Sequence, residues 1–286
     1  MDRLTALLRH FSLRTGVFHS GRLCGGQEFR DEDGACGHIH LIKRGPVRLV
    51  GARRTVVDVM APSVLFIPRP EAHRLITDEH AGADVVCATV RFGSGGSSPV
   101  TDSLPDAVLV ELAALPGAEA LLDLMFGEAF ADGCGRQAVL DRLCEVLVIR
   151  LVRHCIDNGL TRGGTLAGLA DRRLARVLTA IQDDPARDWQ LETMASLAGM
   201  SRARFAVRFR EVTGETPGDY LAAWRMMMAQ RLLQQGLPVK LVAFDVGYGS
   251  ASALSRAFMR RLGCSPTQWM ARTERSPTAL EAATGG

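Results

Sequence analysis

Residues 243–266 read Ala243-Phe244-Asp245-Val246-Gly247-Tyr248-Gly249-Ser250-Ala251-Ser252-Ala253-Leu254-Ser255-Arg256-Ala257-Phe258-Met259-Arg260-Arg261-Leu262-Gly263-Cys264-Ser265-Pro266. An amphipathic run over 239–246 leads into a glycine turn at Gly247-Tyr248-Gly249, and Ser250 opens a second run. Serine at that place is an N-cap, accepting backbone N–H groups that the first helical turn leaves without partners. Leu254 and Phe258 share one helical face and pack back on the preceding helix. Gly263 suits a left-handed C-cap, and Pro266 the first turn of a following helix. The pattern also occurs 49 residues earlier, where Ser201, Phe205, Phe209, Gly214, Pro217, Tyr220 and Leu221 match Ser250, Leu254, Phe258, Gly263, Pro266, Trp269 and Met270. A short helix, a glycine turn and a capped helix with one face free make a helix-turn-helix. One such unit is compatible with a hairpin that binds nothing; an ordered pair in a basic region points to DNA.

The charge supports this. Residues 171–275 carry sixteen Lys/Arg against ten Asp/Glu, whereas the rest of the 286-residue chain is slightly acidic and the total is only +3. A basic part beside an acidic one suggests a polyanionic partner for the former. The length suggests two domains, and 47% hydrophobic with 23% charged residues is an ordinary globular composition. Seven cysteines (24, 36, 87, 134, 144, 155 and 264) form no CxxC pair and read as free thiols rather than a disulfide framework. No apolar run reaches membrane-spanning length, and the first residues lack the features of a signal peptide, so a cytoplasmic protein without a membrane partner is expected.

Upstream, short β-rich runs at 37–43, 47–50, 55–60, 63–68 and 84–92 alternate with turn residues, the pattern of a sandwich or small barrel. Residues 93–99 read as a flexible breaker, and 106–114, 118–131 and 136–158 as helices. The apolar stripe of 136–158 is wide enough to face two surfaces, either two parts of one core or its own domain and a second protomer. A glycine-rich linker is expected over 158–165.

The C-terminal pattern closely resembles the AraC family of bacterial regulators. Met194-Ala195-Ser196-Leu197-Ala198-Gly199-Met200-Ser201 with Phe205 and Phe209 is similar to the family's first unit. Ala243, Gly247-Tyr248, Ala253-Leu254-Ser255-Arg256-Ala257-Phe258 and Gly263-Cys264-Ser265-Pro266 are similar to its signature second unit. The resemblance covers roughly residues 171–273. It implies two helix-turn-helix units, joined by a long helix over 217–235, that enter adjacent major-groove segments of double-stranded operator DNA. It also implies RNA polymerase as a partner and a homodimer. By position, the first recognition helix carries Ser201, Arg202, Ala203, Arg204, Ala206, Val207 and Arg210, and the second Ser250, Ser252, Ser255 and Arg256. Arg256 is the strongest base-reading candidate, since guanidinium forks onto guanine O6 and N7. Relatives often carry larger polar residues where this chain has Ala203, Ala206 and Val207, so the first unit is expected to read thymine methyls or DNA shape.

The family usually couples this module to a sensing domain that is often cupin-like. Gly37-His38-Ile39-His40 resembles the cupin His-x-His strand, and Pro70-Glu71-Ala72-His73 the second cupin motif. His38 and His40 share a strand face. A cupin enzyme would want a carboxylate shortly after His40; Lys43 and Arg44 stand there, which disfavours catalysis. Cys24, Ile39-His40-Leu41, Glu71-Ala72-His73-Arg74-Leu75 and Val86-Cys87 resemble the reactive-chlorine-sensing activators (RclR type) within the family. That resemblance implies Cys24 and Cys87 as an oxidant-responsive pair. If Cys24, His40, His73 and Cys87 converge, they make a borderline-soft set suited to Zn2+. Three readings stay open: an oxidant sensor, a regulator binding a small organic effector in the barrel, and a cupin enzyme fused to a DNA module.

The expected fold is therefore α+β. Residues 1–160 form a cupin-like β-barrel with a helical dimerisation segment, 161–275 an all-α domain with two helix-turn-helix units, and 276–286 a disordered tail.

Overall fold

The computed structural model describes residues 2–31, 34–51, 56–93, 98–131 and 133–274. The expected tail and most of the 93–99 breaker lie outside the described residues. The chain divides into two compact units, Met1–Ala175 and Arg176–Gly286.

Unit 1 opens with α1 (Thr5–His10), followed by β1 (Leu13–Leu23), β2 (Gly26–Phe29), β3 (Gly37–Arg44), β4 (Val47–Gly51), β5 (Val56–Val59), β6 (Ser63–Ile67), β7 (His73–Ile76) and β8 (Ala83–Phe92). Then come α2 (Pro99–Asp102), β9 (Val108–Glu111), α3 (Ala118–Ala129), α4 (Arg136–Asp157) and α5 (Gly164–Ala170). The strands form two antiparallel sheets, ordered β1-β8-β3-β6-β9 and β2-β7-β4-β5. The cupin-like, sheet-rich domain is as expected, but the closed barrel is not. Among the described residues no strand pair links the sheets, because the chain leaves the first sheet at the end of β1 and turns through Cys24-Gly25 into the second.

The core lies between the two sheets. Leu23, Ile42, Leu65, Ile67, Val85 and Cys87 of the larger sheet meet Phe29, Val47, Leu49, Val59 and Leu75 of the smaller one. Each fully buried Leu or Ile contributes about 1.5–3 kcal/mol of transfer free energy. Ile39, Leu41, Val86 and Ala88, which alternate with these, are just as buried, so β3 and β8 are buried on both faces. α4 lies against β1, where Asp141 accepts from the Val17 N–H at 2.9 Å and from the Thr15 hydroxyl through its carbonyl at 2.6 Å.

Residues 106–114 depart from the helical expectation. They form β9 and a single 3-10 turn, Leu112–Ala114. Val108 and Val110 are buried while Leu109 and Glu111 are exposed, a period of two that pairing with β6 makes decisive. The segment 158–165, read as a linker, is tied to unit 1. The Arg162 N–H donates to the Ser103 carbonyl at 2.8 Å, and Asp106 bridges Arg162 and Arg69 at 2.8 and 2.5 Å.

The division between units falls in α6 (Arg172–Asp183). Unit 2 continues with α7 (Leu191–Ala198), α8 (Arg202–Thr213), α9 (Pro217–Gln234), α10 (Val239–Asp245), α11 (Ala251–Leu262) and α12 (Pro266–Glu274). Its core is aromatic. Phe205, Phe209, Tyr220 and Trp224 form a chain of ring contacts at 5.6, 5.7 and 6.3 Å, and Phe258 meets Trp269 at 6.2 Å. No described helix is long and apolar enough to cross a membrane.

Candidate nucleic-acid interface and sensor core

Both repeats of unit 2 fold as helix, turn, helix. α7 ends at Gly199 in the left-handed region (φ +63), and α8 runs to Gly214 (φ +83). α10 ends at Val246, Gly247 turns at φ +85, and α11 runs to Gly263 (φ +66). The two serines differ. Ser250 accepts from the Ala253 N–H at 3.1 Å, whereas Ser201 holds the N-cap position without a side-chain capping bond, contrary to expectation. Only Ser250 has its hydroxyl turned onto the helix end.

Burial separates a packed face from a free one on each second helix. Phe205 and Phe209 are buried on α8, while Arg202, Ala203, Arg204, Val207 and Arg210 are exposed and Ala206 is half-buried. On α11, Leu254 and Phe258 are buried, Ser252 and Arg256 are exposed, and Ser255 is half-buried. Met259 and Arg260 extend that exposed face and escaped the sequence reading, because family positions rather than helical geometry guided it. Arg202 is ion-paired with Glu192 of α7, an exposed contact weak enough to yield to phosphate.

Two further features position these helices. Arg225, half-way along α9, donates to the Pro185 carbonyl at 2.8 Å and the Arg187 carbonyl at 3.0 Å, with its guanidinium 5.9 Å from the Tyr248 ring centroid. Thr216 caps α9 through the Asp219 N–H at 3.2 Å, and Ser265 caps α12 through the Gln268 N–H at the same distance. These caps extend the 49-residue match by two positions that the sequence reading left out.

In unit 1, His40 and His73 meet at the inner face. Their Nε2 atoms are 2.8 Å apart, and His73 Nδ1 lies 2.8 Å from the Glu71 carbonyl. A carbonyl only accepts, so His73 is protonated on Nδ1 and, when neutral, accepts on Nε2. His40 therefore donates from Nε2, and its Nδ1 is a bare lone pair. That atom is buried and, like His38 Nδ1 and His19 Nε2, has no hydrogen-bond partner among the described residues. Rings enclose the group: Phe29 lies 4.8 Å from His40 and 5.4 Å from His73, and His38 lies 5.1 Å from His73. Phe18, left unpaired by the β1 register shift between Val17 and His19, is half exposed and touches Phe29 and His38 at 5.9 and 6.1 Å. Burial, with repulsion from His73, pushes His38 down to about 4 and His40 well below the ordinary histidine range. Burial also lowers His73. His19, Phe18 and Phe29 carried no sequence signal; isolated residues of these types are indistinguishable from core.

Cys87 opposes both His19 of β1 and His40 of β3 in backbone register, and burial pushes its thiol up to about 12. Cys24 is elsewhere. It is exposed at the turn after β1, with its Sγ against Gly82. Leu23 pairs with Ala83, four residues before Cys87, so at about 3.3 Å per residue Leu23 stands roughly 13 Å along the strand from Cys87, and Cys24 is the next residue beyond it. A disulfide needs Cα atoms within about 7 Å. The expected convergence of Cys24, His40, His73 and Cys87 is thus corrected: His40 and His73 meet, Cys87 neighbours His40, and Cys24 stands apart because β1 carries it past the sheet end. The four do not fit zinc as one set, since Cys24 stands apart from the other three. Among the described residues no three His, Cys, Asp or Glu side chains are arranged to hold a metal.

The Cupin family pattern matches residues 2–157 and a Helix-turn-helix domain pattern matches 194–272. An AraC-like transcription regulator of Streptomyces antibioticus is 37% identical over 180 residues, 61% of this chain and 59% of that protein. The RCS-specific HTH-type transcriptional activator RclR of Escherichia coli (strain K12) is 30% identical over 241 residues, 82% of this chain and 84% of that protein. The chain belongs to the AraC family. Among solved structures, the DNA-binding domain of AdpA in complex with a target DNA is 37% identical and covers 36% of this chain and 96% of that one, with a TM-score of 0.35.

As an AraC-family member the chain is a DNA-binding transcription regulator with a cupin domain, not an enzyme. The space between the two sheets is the interior of its cupin domain.

Proposed function

We propose that this AraC-family regulator is an operator-binding activator whose cupin domain responds to reactive chlorine or other thiol oxidants through Cys24 and Cys87. The observation that carries this reading is the likeness, across both domains, to an activator named as RCS-specific. Cys24 and Cys87 act in it as separate thiols, one exposed and one buried, and any direct bridge between them requires backbone movement. The regulator works as a homodimer through the outer face of α4, where Val139 and Val146 stay exposed although the helix packs its other face, and it engages RNA polymerase when bound to its operator.

A second reading, a small organic effector between the sheets, is favoured by half-exposed Phe18 at the edge of a cluster whose imidazole nitrogens include some without a partner among the described residues. One experiment separates the two. Operator binding and transcription are measured with and without hypochlorite for the wild type, Cys24→Ser and Cys87→Ser. Loss of the response in either variant supports the oxidant reading. Full response in both variants, or none in the wild type, overturns it and leaves the effector reading.

A further inference from the structure

Cys87 poses a chemical problem for an oxidant sensor. Thiolate is the form that oxidants attack, yet this sulfur sits in an apolar core that keeps it protonated. Peroxide has no good route to such a thiol. Hypochlorous acid has another target, because neutral imidazole nitrogen also attacks electrophilic chlorine. The cluster beside Cys87 supplies the required atom. Among the described residues none makes a hydrogen bond to the His40 Nδ1 lone pair, and the other ring nitrogen already points its proton at His73 Nε2, 2.8 Å away. A buried acceptor without a partner is costly and calls for an explanation.

We propose that His40 Nδ1 takes chlorine from hypochlorous acid, with His73 receiving the proton and Cys87 the chlorine; this rests on the oxidant reading above. In the first step the Nδ1 lone pair forms an N–Cl bond, and the O–Cl bond breaks with its electrons on oxygen. The Nε2 proton of His40 passes to His73 and from there to the departing hydroxide, giving water. Glu71 holds His73 in the tautomer that can accept that proton, through the 2.8 Å contact at Nδ1.

In the second step the Cys87 sulfur attacks the chlorine. The N–Cl bond breaks with its electrons on nitrogen, and the thiol proton returns to the imidazole. Opposed residues on neighbouring strands have Cβ atoms about 5 Å apart, so His40 and Cys87 are within reach of each other. Water then displaces chloride from sulfur, leaving a sulfenic acid and releasing a proton. Sulfur is oxidised by two electrons and chlorine is reduced to chloride. His40 thereby makes the response specific for chlorine donors, because peroxide carries no chlorine for it to relay.

The test uses the full-length reduced protein, hypochlorite and hydrogen peroxide as probes, and peptide mass analysis after rapid quenching. In the wild type, hypochlorite oxidises Cys87 far faster than peroxide does. In Cys87→Ser, which keeps the imidazoles, a chlorine adduct accumulates on His40 and ascorbate removes it. In His40→Gln and His73→Gln, Cys87 oxidation by hypochlorite slows on the order of a hundredfold while peroxide oxidation is unchanged. Circular dichroism of each variant shows whether the fold is retained; if His40→Gln unfolds, the Cys87→Ser adduct and His73→Gln decide. A Cys87→Ser protein with no chlorine on His40 overturns the proposal, as does a metal ion bound stoichiometrically to these imidazoles. A wild type that forms the adduct but does not alter transcription overturns the oxidant reading and leaves the chemistry standing.

Discussion

Arg225 and Gly247 meet at the turn of the second helix-turn-helix. A Cβ built on Gly247 would stand 2.7 Å from Arg225 Nη2 and 2.9 Å from the Ala186 Cα, and the residue sits at φ +85. The guanidinium has little room to withdraw, since two backbone carbonyls and the Tyr248 ring hold it. Gly247→Ala therefore combines a left-handed backbone penalty with a steric one. We expect a loss of about 1–3 kcal/mol in urea unfolding of unit 2 and weaker operator binding. An unchanged midpoint would show that the turn relaxes freely.

Arg256 is exposed on α11 beside Ser252. Arg256→Ala is expected to cost roughly 1–3 kcal/mol at a cognate operator and to relax discrimination at one base pair. Titrations against operator and random duplex at several salt concentrations check this. Equal losses on both DNAs, with a smaller salt slope, would make Arg256 a phosphate contact instead.

Val139 and Val146 are 39% and 43% exposed on the outer face of α4, seven residues apart and hence on one side of the helix. The buried residues of α4, among them Leu140, Leu147 and Leu151, already supply its packing to unit 1. The double variant Val139→Glu, Val146→Glu should thus be a folded monomer by sedimentation. A folded dimer would move the interface off α4.

The histidine cluster sets an acid limit on unit 1. Its three imidazoles titrate below their ordinary range when folded, His38 at about 4, because burial disfavours the charged form. Between pH 6.5 and about 4 the unfolded chain binds more protons than the folded one, so stability is full above pH 6.5 and is lost as the pH falls. His38→Gln should flatten this slope in urea titrations at pH 7, 6 and 5. An identical slope would locate the acid sensitivity elsewhere.

Much of this protein was legible in the sequence because the information is local. Serine, glycine and proline at fixed offsets, with Phe205, Phe209, Leu254 and Phe258 at helical spacing, specify the two helix-turn-helix units and the joining helix within about a hundred residues. A cap or a helical face depends on neighbours three or four positions away. β3, β4, β5, β6 and β8 of the cupin domain were legible for the same reason, as short β-rich runs between turn residues.

What remained was decided by partners far along the chain. Residues 106–114 are a strand only because β6 offers an edge to Val108 and Val110. The sheets stay separate because β1 and β2 pair with β8 and β7 rather than with each other. Cys24 and Cys87 looked like a pair, but the register of β1 on β8 sets their separation. His40 and His73, thirty-three residues apart, touch because both point into the space between two sheets. Strand register fixes which side chains share a face and a level, and only the assembled sheets fix the register.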